Sequence, residues 1–281
     1  MTLQTSPERT EIPVRSASPR HILMCRPSHF EVSYAINPWM DPTVPVDQAR
    51  AIAQWEIVRE TYKGLGHRVE VIDPIDGLPD MVFAANGGIV HGGRALAARF
   101  THAERQPEGA AYRAWFEAAG LTPAVQATHQ NEGEGDVLTI GDIMLAGTGF
   151  RTSRDAHREI AEFFGVEVVT LELVDPRFYH LDTALTVLDD TTIAYFPGAF
   201  SAASNAALKG RFPSAIIASE DDAAAFGLNA MSDGLNVIVS DRAVGLHEQL
   251  RQHGFNPVGV ETSELLKAGG SAKCCTLEIR S

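Results

Sequence analysis

Asn131-Glu132-Gly133-Glu134-Gly135-Asp136-Val137-Leu138-Thr139-Ile140 joins a glycine-interleaved acidic cluster to a short β-type run. Glu134 and Asp136, two residues apart, point the same way on an extended backbone, and the glycines beside them let another group approach the chain closely. The run continues through Gly141-Asp142, so 136–146 reads as a hairpin. Upstream the arrangement recurs: Phe83-Ala84-Ala85-Asn86-Gly87-Gly88 leads into a hairpin over 88–99, with an amide where a carboxylate could stand. Downstream, Arg177-Phe178-Tyr179-His180-Leu181-Asp182-Thr183 leads into a third, 184–196, broken at Asp189-Asp190.

The distance between such clusters is nearly constant. Asn37, Asn86, Glu134, Asp182, Asn229 and Cys274 are separated by 49, 48, 48, 47 and 45 residues. Polar strand ends in any regular α/β protein would give a looser version of this spacing. A ring of near-equal βαβ units would give it directly, each unit pointing one polar strand end at a central channel. Five intervals predict about five units. Between the hairpins, helices fit 47–64 with Gly64 as its stop, 107–119 after Pro107, 154–164 after the cap candidate Ser153, 241–253 from Asp241, and 262–268. His21–Cys25 reads as the first strand. The fold class read from this pattern is α/β, with a propeller-like ring of about five pseudo-repeated units around a polar channel as the sharper of the two readings.

The chain has 281 residues, 44% of them hydrophobic and 21% charged, which suits a soluble globular protein of one or two domains. The first twenty residues form a polar stretch with no apolar core of a signal peptide, so residues 1–20 read as a flexible tail and 21–281 as a single domain. No run approaches the ~20 apolar residues of a membrane span. A net charge of -13 without any Lys/Arg run argues against a nucleic-acid partner and leaves a small cationic one less disfavoured. A homo-oligomer is left open. Three cysteines, two of them adjacent, cannot build a disulfide framework and suit the reducing cytoplasm. The absence of CxxC, HExxH, GxGxxG and a P-loop predicts neither a metal nor a cofactor.

Chemistry-bearing candidates fall on the same clusters. Gly269-Gly270-Ser271-Ala272-Lys273-Cys274-Cys275-Thr276-Leu277 places a thiol between a glycine-rich loop and a final strand, where Lys273 would favour thiolate if its ammonium turned that way. On an alternating strand Cys275 shares a face with Leu277 and Ile279 and reads as core. A lone cysteine is more often a small buried hydrophobe than a nucleophile. His180 and Asp182, two apart, would face one side, and an imidazole beside a carboxylate is what proton transfer at neutral pH requires. Arg105 and Arg154 are candidates for gripping a carboxylate bidentately, or else surface ion pairs. Asn37, in Asn37-Pro38-Trp39-Met40, could supply an amide beside an apolar wall.

Taken in order, FAANGG, HAERQPE, NEGEGDV, RFYHLDT and GGSAKCCTLE resemble the guanidino-group-modifying pentein superfamily, from about residue 21 to the C-terminus. It includes the dimethylarginine dimethylaminohydrolases, arginine deiminases, amidinotransferases and arginine dihydrolases. The resemblance implies a five-bladed α/β propeller and a cysteine-dependent hydrolase of arginine or methylated arginine. It further implies Cys274 as nucleophile, His180 as acid/base, and Glu134 as the carboxylate that binds substrate and orients the histidine. Asp182 would bind the guanidinium, Arg105 and Arg154 the amino-acid carboxylate, and Asn86, Asn37, Phe83 and Asn229 would complete the substrate site. Asn86 stands where the deiminases and dimethylaminohydrolases carry Asp. With the INPWM segment, it resembles the arginine dihydrolase pattern, so arginine dihydrolase, giving ornithine, carbon dioxide and two ammonias, is favoured over dimethylarginine dimethylaminohydrolase. An amidinotransferase would need room for a second amine, a thiol protease leaves the acidic set without a role, and a silent arginine-binding pentein would need no nucleophile.

Overall fold

The computed structural model describes residues 14–280. Its strands are β1 (His21–Cys25), β2 (Arg68–Ile72), β3 (Gly88–His91), β4 (Arg94–Ala97), β5 (Ala124–Gln126), β6 (Val137–Ile140), β7 (Ile143–Thr148), β8 (Glu167–Glu172), β9 (Leu185–Val187), β10 (Ile193–Tyr195), β11 (Ile216–Ile217), β12 (Met231–Ser232), β13 (Asn236–Ser240), β14 (Asn256–Val260) and β15 (Leu277–Glu278). They form five three-stranded sheets: β15-β1-β2, β3-β4-β5, β6-β7-β8, β9-β10-β11 and β12-β13-β14. Within each sheet the first pair is antiparallel and the second parallel. A parallel pair needs a crossover, usually a helix. The crossovers here are α1 (Gln48–Gly64), α2 (Gln106–Ala118), α3 (Arg154–Phe164), α5 (Ala202–Arg211) and α7 (Val244–Gln252), with α4 (Leu181–Ala184), α6 (Glu220–Ala224) and α8 (Ser263–Leu266) as single turns.

The repeat is thus hairpin plus crossover, ββαβ rather than βαβ, and the fivefold expectation holds. The blade β15-β1-β2 takes its first strand from the C-terminus and its other two from the N-terminus, which closes the ring. Asn86, Glu134, Asp182, Asn229 and Cys274 each stand two or three residues before the first strand of a blade. Asn37 does not: it lies in the loop between β1 and α1, so it belongs to no repeat. Of the expected tail, residues 1–13 lie outside the described residues. Arg15 packs its guanidinium 3.6 Å from the Phe255 ring centroid and pairs with Asp189, and Ser18 donates to Asp233 O at 2.8 Å.

Local chemistry sets the elements. Ser153 accepts from Ala156 N at the start of α3, and Gly165 ends it in the left-handed region. Ala156, His157 and Ile160 form the buried face of α3, which leaves Arg154, Asp155, Arg158 and Glu159 on the outside. Apolar side chains of adjacent blades fill the space between sheets and helices. One cluster around Leu181, Leu185, Val237 and Val239 joins the sheets β6-β7-β8, β9-β10-β11 and β12-β13-β14, while Trp55 and Tyr62 of α1 pack down onto Ile22 and Cys275. Among the described residues no helix is long and apolar enough to cross a membrane.

Candidate active site

Cys274 sits in a buried turn just ahead of β15, not on a strand, with only 2% of its surface exposed. Its sulfur lies 3.3 Å from Asp182 Oδ2 and receives Asn229 Nδ2–H at 3.1 Å. Asn229 Oδ1 accepts the Cys274 and Ser271 N–H groups, both at 3.1 Å, so one amide fixes both the sulfur and its backbone. Burial, and then the adjacent Asp182 carboxylate, push the thiol well above its ordinary range. Burial raises Asp182 to about 7 against the pull of the Lys273 ammonium. Asp182 Oδ1 is buried without a hydrogen-bond partner. A buried acceptor left open is costly unless a ligand fills it.

His180, extended just before α4, holds Nε2 2.8 Å from Glu132 Oε2, while its buried Nδ1 has no partner. The expected partner was Glu134. Glu134 instead accepts Lys273 Nζ at 2.7 Å and Glu278 N at 2.9 Å. The single glycine between the two glutamates turns the second away: Gly133 has φ +60° and lies against the backbone of Ala85 and Gly88, where a Cβ would not fit. Lys273 is correspondingly directed at Glu134 and at Thr276 O, not at the thiol. Burial alone would raise the Glu132 carboxyl, but Arg151 and His180 outweigh it and hold Glu132 well below the usual carboxylate range.

Arg154 also falls outside the site. It is exposed at the start of α3, with Nη2 3.9 Å from Glu172. The buried arginine of the same segment is Arg151, which donates to Glu132 Oε2 at 2.9 Å and to Ile36 O at 2.7 Å and lies over the Tyr179 ring. Arg105 is buried and largely occupied: Nε and Nη2 form a fork to Glu108 at 2.9 and 2.8 Å, Nη2 also reaches Asp80 O, and Nη1 donates to Asn86 Oδ1 at 2.8 Å. Because a guanidinium only donates, Arg105 fixes the Asn86 carbonyl toward itself and leaves the amide nitrogen facing Glu132 O at 3.3 Å. A Cβ on Gly135 would overlap that nitrogen and press on the His180 ring, so the strip of chain between them must be glycine.

One further residue carried no sequence signal of its own. Asp80 is buried, accepts Tyr34 Oη–H at 2.8 Å through Oδ2, and keeps Oδ1 unpartnered. Burial raises its carboxyl while Arg105 pulls it back. The loop of residues 26–47 roofs the site. Asn37 Nδ2 donates to Ala268 O at 3.1 Å, Trp39 Nε1 donates to Arg177 O at 2.8 Å, and Ile36 O receives Arg151. Gly269, at φ +81°, passes beneath with Asn37 and Tyr179 so close that a side chain there would clash, and Phe83 presses on Gly270. Around Tyr179 the fold gathers a thiol, an imidazole with one open nitrogen, two carboxylates with an open oxygen each, and the Arg151 guanidinium. That set can hold a cationic, planar group under a nucleophile and move protons to and from it.

Comparison with known proteins agrees. The family described as "N,N dimethylarginine dimethylhydrolase, eukaryotic" matches residues 27–281. A protein of Mycobacterium tuberculosis named N(G),N(G)-dimethylarginine dimethylaminohydrolase is 57% identical over 94% of this chain and 87% of its own length. The bifunctional arginine dihydrolase/ornithine cyclodeaminase ArgZ of Synechocystis is 42% identical over 92% of this chain, which spans only 37% of that larger protein. The crystal structure of the N-terminal domain of ArgZ, a cyanobacterial arginine dihydrolase bound to product, superposes with a TM-score of 0.90 at 40% identity, covering 94% of this chain and 98% of that one. The chain therefore belongs to the dimethylarginine dimethylaminohydrolase family of guanidino-group hydrolases, built on the pentein fold.

Proposed function

We propose that the chain hydrolyses N,N-dimethylarginine to citrulline and dimethylamine, with Cys274 as nucleophile. The observation that carries the chemistry is Asp182, a buried carboxylate 3.3 Å from the sulfur with its other oxygen open. A guanidinium seated on Asp182 brings its central carbon to the thiol. Its positive charge also offsets the two influences that keep the thiol protonated, so substrate binding itself favours the thiolate.

The Cys274 proton passes to His180 and the sulfur attacks the guanidinium carbon, giving a tetrahedral adduct. Imidazolium, stabilised by Glu132, returns the proton to the departing dimethylamine nitrogen as the C–N bond breaks. His180 then takes a proton from water, whose oxygen attacks the thiouronium carbon; collapse expels the sulfur, which recovers its proton from His180, while the second water proton leaves to solvent and the ureido group of citrulline remains. Arg151, tied to both Glu132 and the roof, is the arginine we assign to the substrate carboxylate. Asp80 Oδ1 is the open acceptor for its ammonium. The reducing cytoplasm is the proposed setting, since the chemistry needs a free thiol.

The 57% identity to a relative of that name supports the dimethylated substrate. This reverses the order of preference that Asn86 gave the sequence. Asn86 still favours a second reading, an arginine dihydrolase. With its carbonyl committed to Arg105, its amide offers a donor, which suits a ureido oxygen and would help retain the half-processed group for another attack. Mass spectrometry of products from dimethylarginine and from arginine tests both. Dimethylamine with stoichiometric citrulline is expected; ornithine with two ammonias per arginine, and no turnover of dimethylarginine, would overturn the first reading in favour of the second.

A further inference from the structure

Among the described residues Phe226 is the only non-glycine residue with a positive φ, 57°. A bulky side chain in the left-handed region is strained, and such a conformation persists only where its surroundings enforce it. Phe226 is buried in the turn after α6, where its N–H bonds Ala223 O at 3.0 Å and its carbonyl accepts Asn229 N–H at 3.2 Å. Its ring meets the Trp39 indole edge-on, centroids 4.8 Å apart. Trp39 belongs to the roof and is itself held by Arg177 O. At the other end of the turn stands Asn229, whose amide grips the Cys274 sulfur, the Cys274 N–H, the Ser271 N–H and Asp182 O.

Glycine or asparagine would take this conformation with less strain. Phenylalanine there needs an anchor, and the anchor is supplied by the segment that covers the site. We infer that Phe226 is a positioning residue, which couples docking of Trp39 over the site to placement of Asn229 against Cys274. The inference rests on Cys274 being the reacting group, though its test does not depend on which substrate is turned over.

The test is a double-mutant cycle on the full chain, read as the rate at which iodoacetamide alkylates Cys274, followed by peptide mass spectrometry. Phe226→Gly removes the ring but accepts the backbone conformation; Trp39→Ala removes the roof contact; Trp39→Phe keeps an aromatic edge. Phe226→Gly and Trp39→Ala should each change the rate at least ~3-fold, Trp39→Phe should restore it, and combining the two should add little. In an Asn229→Ala background both effects should shrink below ~1.5-fold. An effect on access alone would persist unchanged in that background, and this would overturn the inference, as would no effect of either single variant. Should Phe226→Gly not fold, the Trp39 arm of the cycle decides alone. With dimethylarginine, the coupling predicts a larger fall in kcat than rise in KM for Trp39→Ala. Turnover by Cys274→Ser would remove the functional reading while leaving the alkylation cycle interpretable.

Discussion

Two buried acid–base pairs lie in the channel, Glu132 with His180 and Glu134 with Lys273, and they differ in what they leave open. Lys273 spends its ammonium on Glu134 and Thr276 O, and Glu134 also receives Glu278 N. His180 spends Nε2 on Glu132 and keeps its buried Nδ1 unpartnered. The lysine pair closes the structure; the histidine pair is poised for chemistry. Two glutamates in one loop, one glycine apart, are thus distinguished by the unmade hydrogen bonds around them rather than by residue type.

The largest effect should fall on the open side. Cys274→Ser should reduce turnover by about 10⁴-fold or more while the chain stays folded, and His180→Ala by about 10²–10⁴-fold, measured as kcat on dimethylarginine. Activity within tenfold of wild type in either variant would move the role elsewhere.

Asp182 links that side to pH. Its folded-state value of about 7 lies above that of an unfolded aspartate, about 3.9, so the folded chain favours the neutral carboxyl. The corresponding stability is fully present below about pH 4 and is lost as pH rises through 7. Asp182→Asn should therefore gain in Tm over wild type between pH 5 and pH 8. Conversely, kcat/KM of the wild type should climb through pH 7 as the carboxylate forms to receive the guanidinium, a limb that Asp182→Asn loses. A flat profile in the wild type would contradict this.

Smaller effects separate the two arginines and the two cysteines. Arg151→Ala should raise KM for dimethylarginine at least ~10-fold, since it strips a charge-assisted contact and unlocks Glu132 and the roof. Arg154→Ala, at the surface, should stay within about twofold. Cys275→Ser should keep most of the activity, because Cys275 is fully buried in the cluster beneath α1. An equal loss in both members of either pair would erase the distinction between site and scaffold.

The near-48-residue spacing made the ring legible, because each blade places one polar residue at the same step before its first strand. It could not say which of two alternate polar residues faces the chemistry. Glu132 stands to Glu134 as His180 stands to Asp182, two residues upstream, and that parallel was the available signal for Glu132. Arg151 was concealed by a similar shift: Ser153 caps α3, which puts Arg154 on the helix and outside, and leaves Arg151 in the loop that enters the channel. Asn37 matched the spacing for a different reason, as part of the roof. Asp80 and the Trp39–Phe226 contact depend on long-range packing that no local pattern encodes.

Glu132→Gln and Glu134→Gln, compared for kcat at equal folded concentration, probe the difference between the two pairs most directly. Glu132→Gln should lower kcat by about 10²-fold or more, because the imidazolium loses its counter-charge, and should also lower Tm, because Arg151 is left buried without its carboxylate. Glu134→Gln should leave kcat within about tenfold and lower only Tm, since removing one partner of a buried ion pair costs about 3–5 kcal/mol. The opposite pattern, with kcat lost in Glu134→Gln and retained in Glu132→Gln, would contradict the assignment of Glu132 to His180.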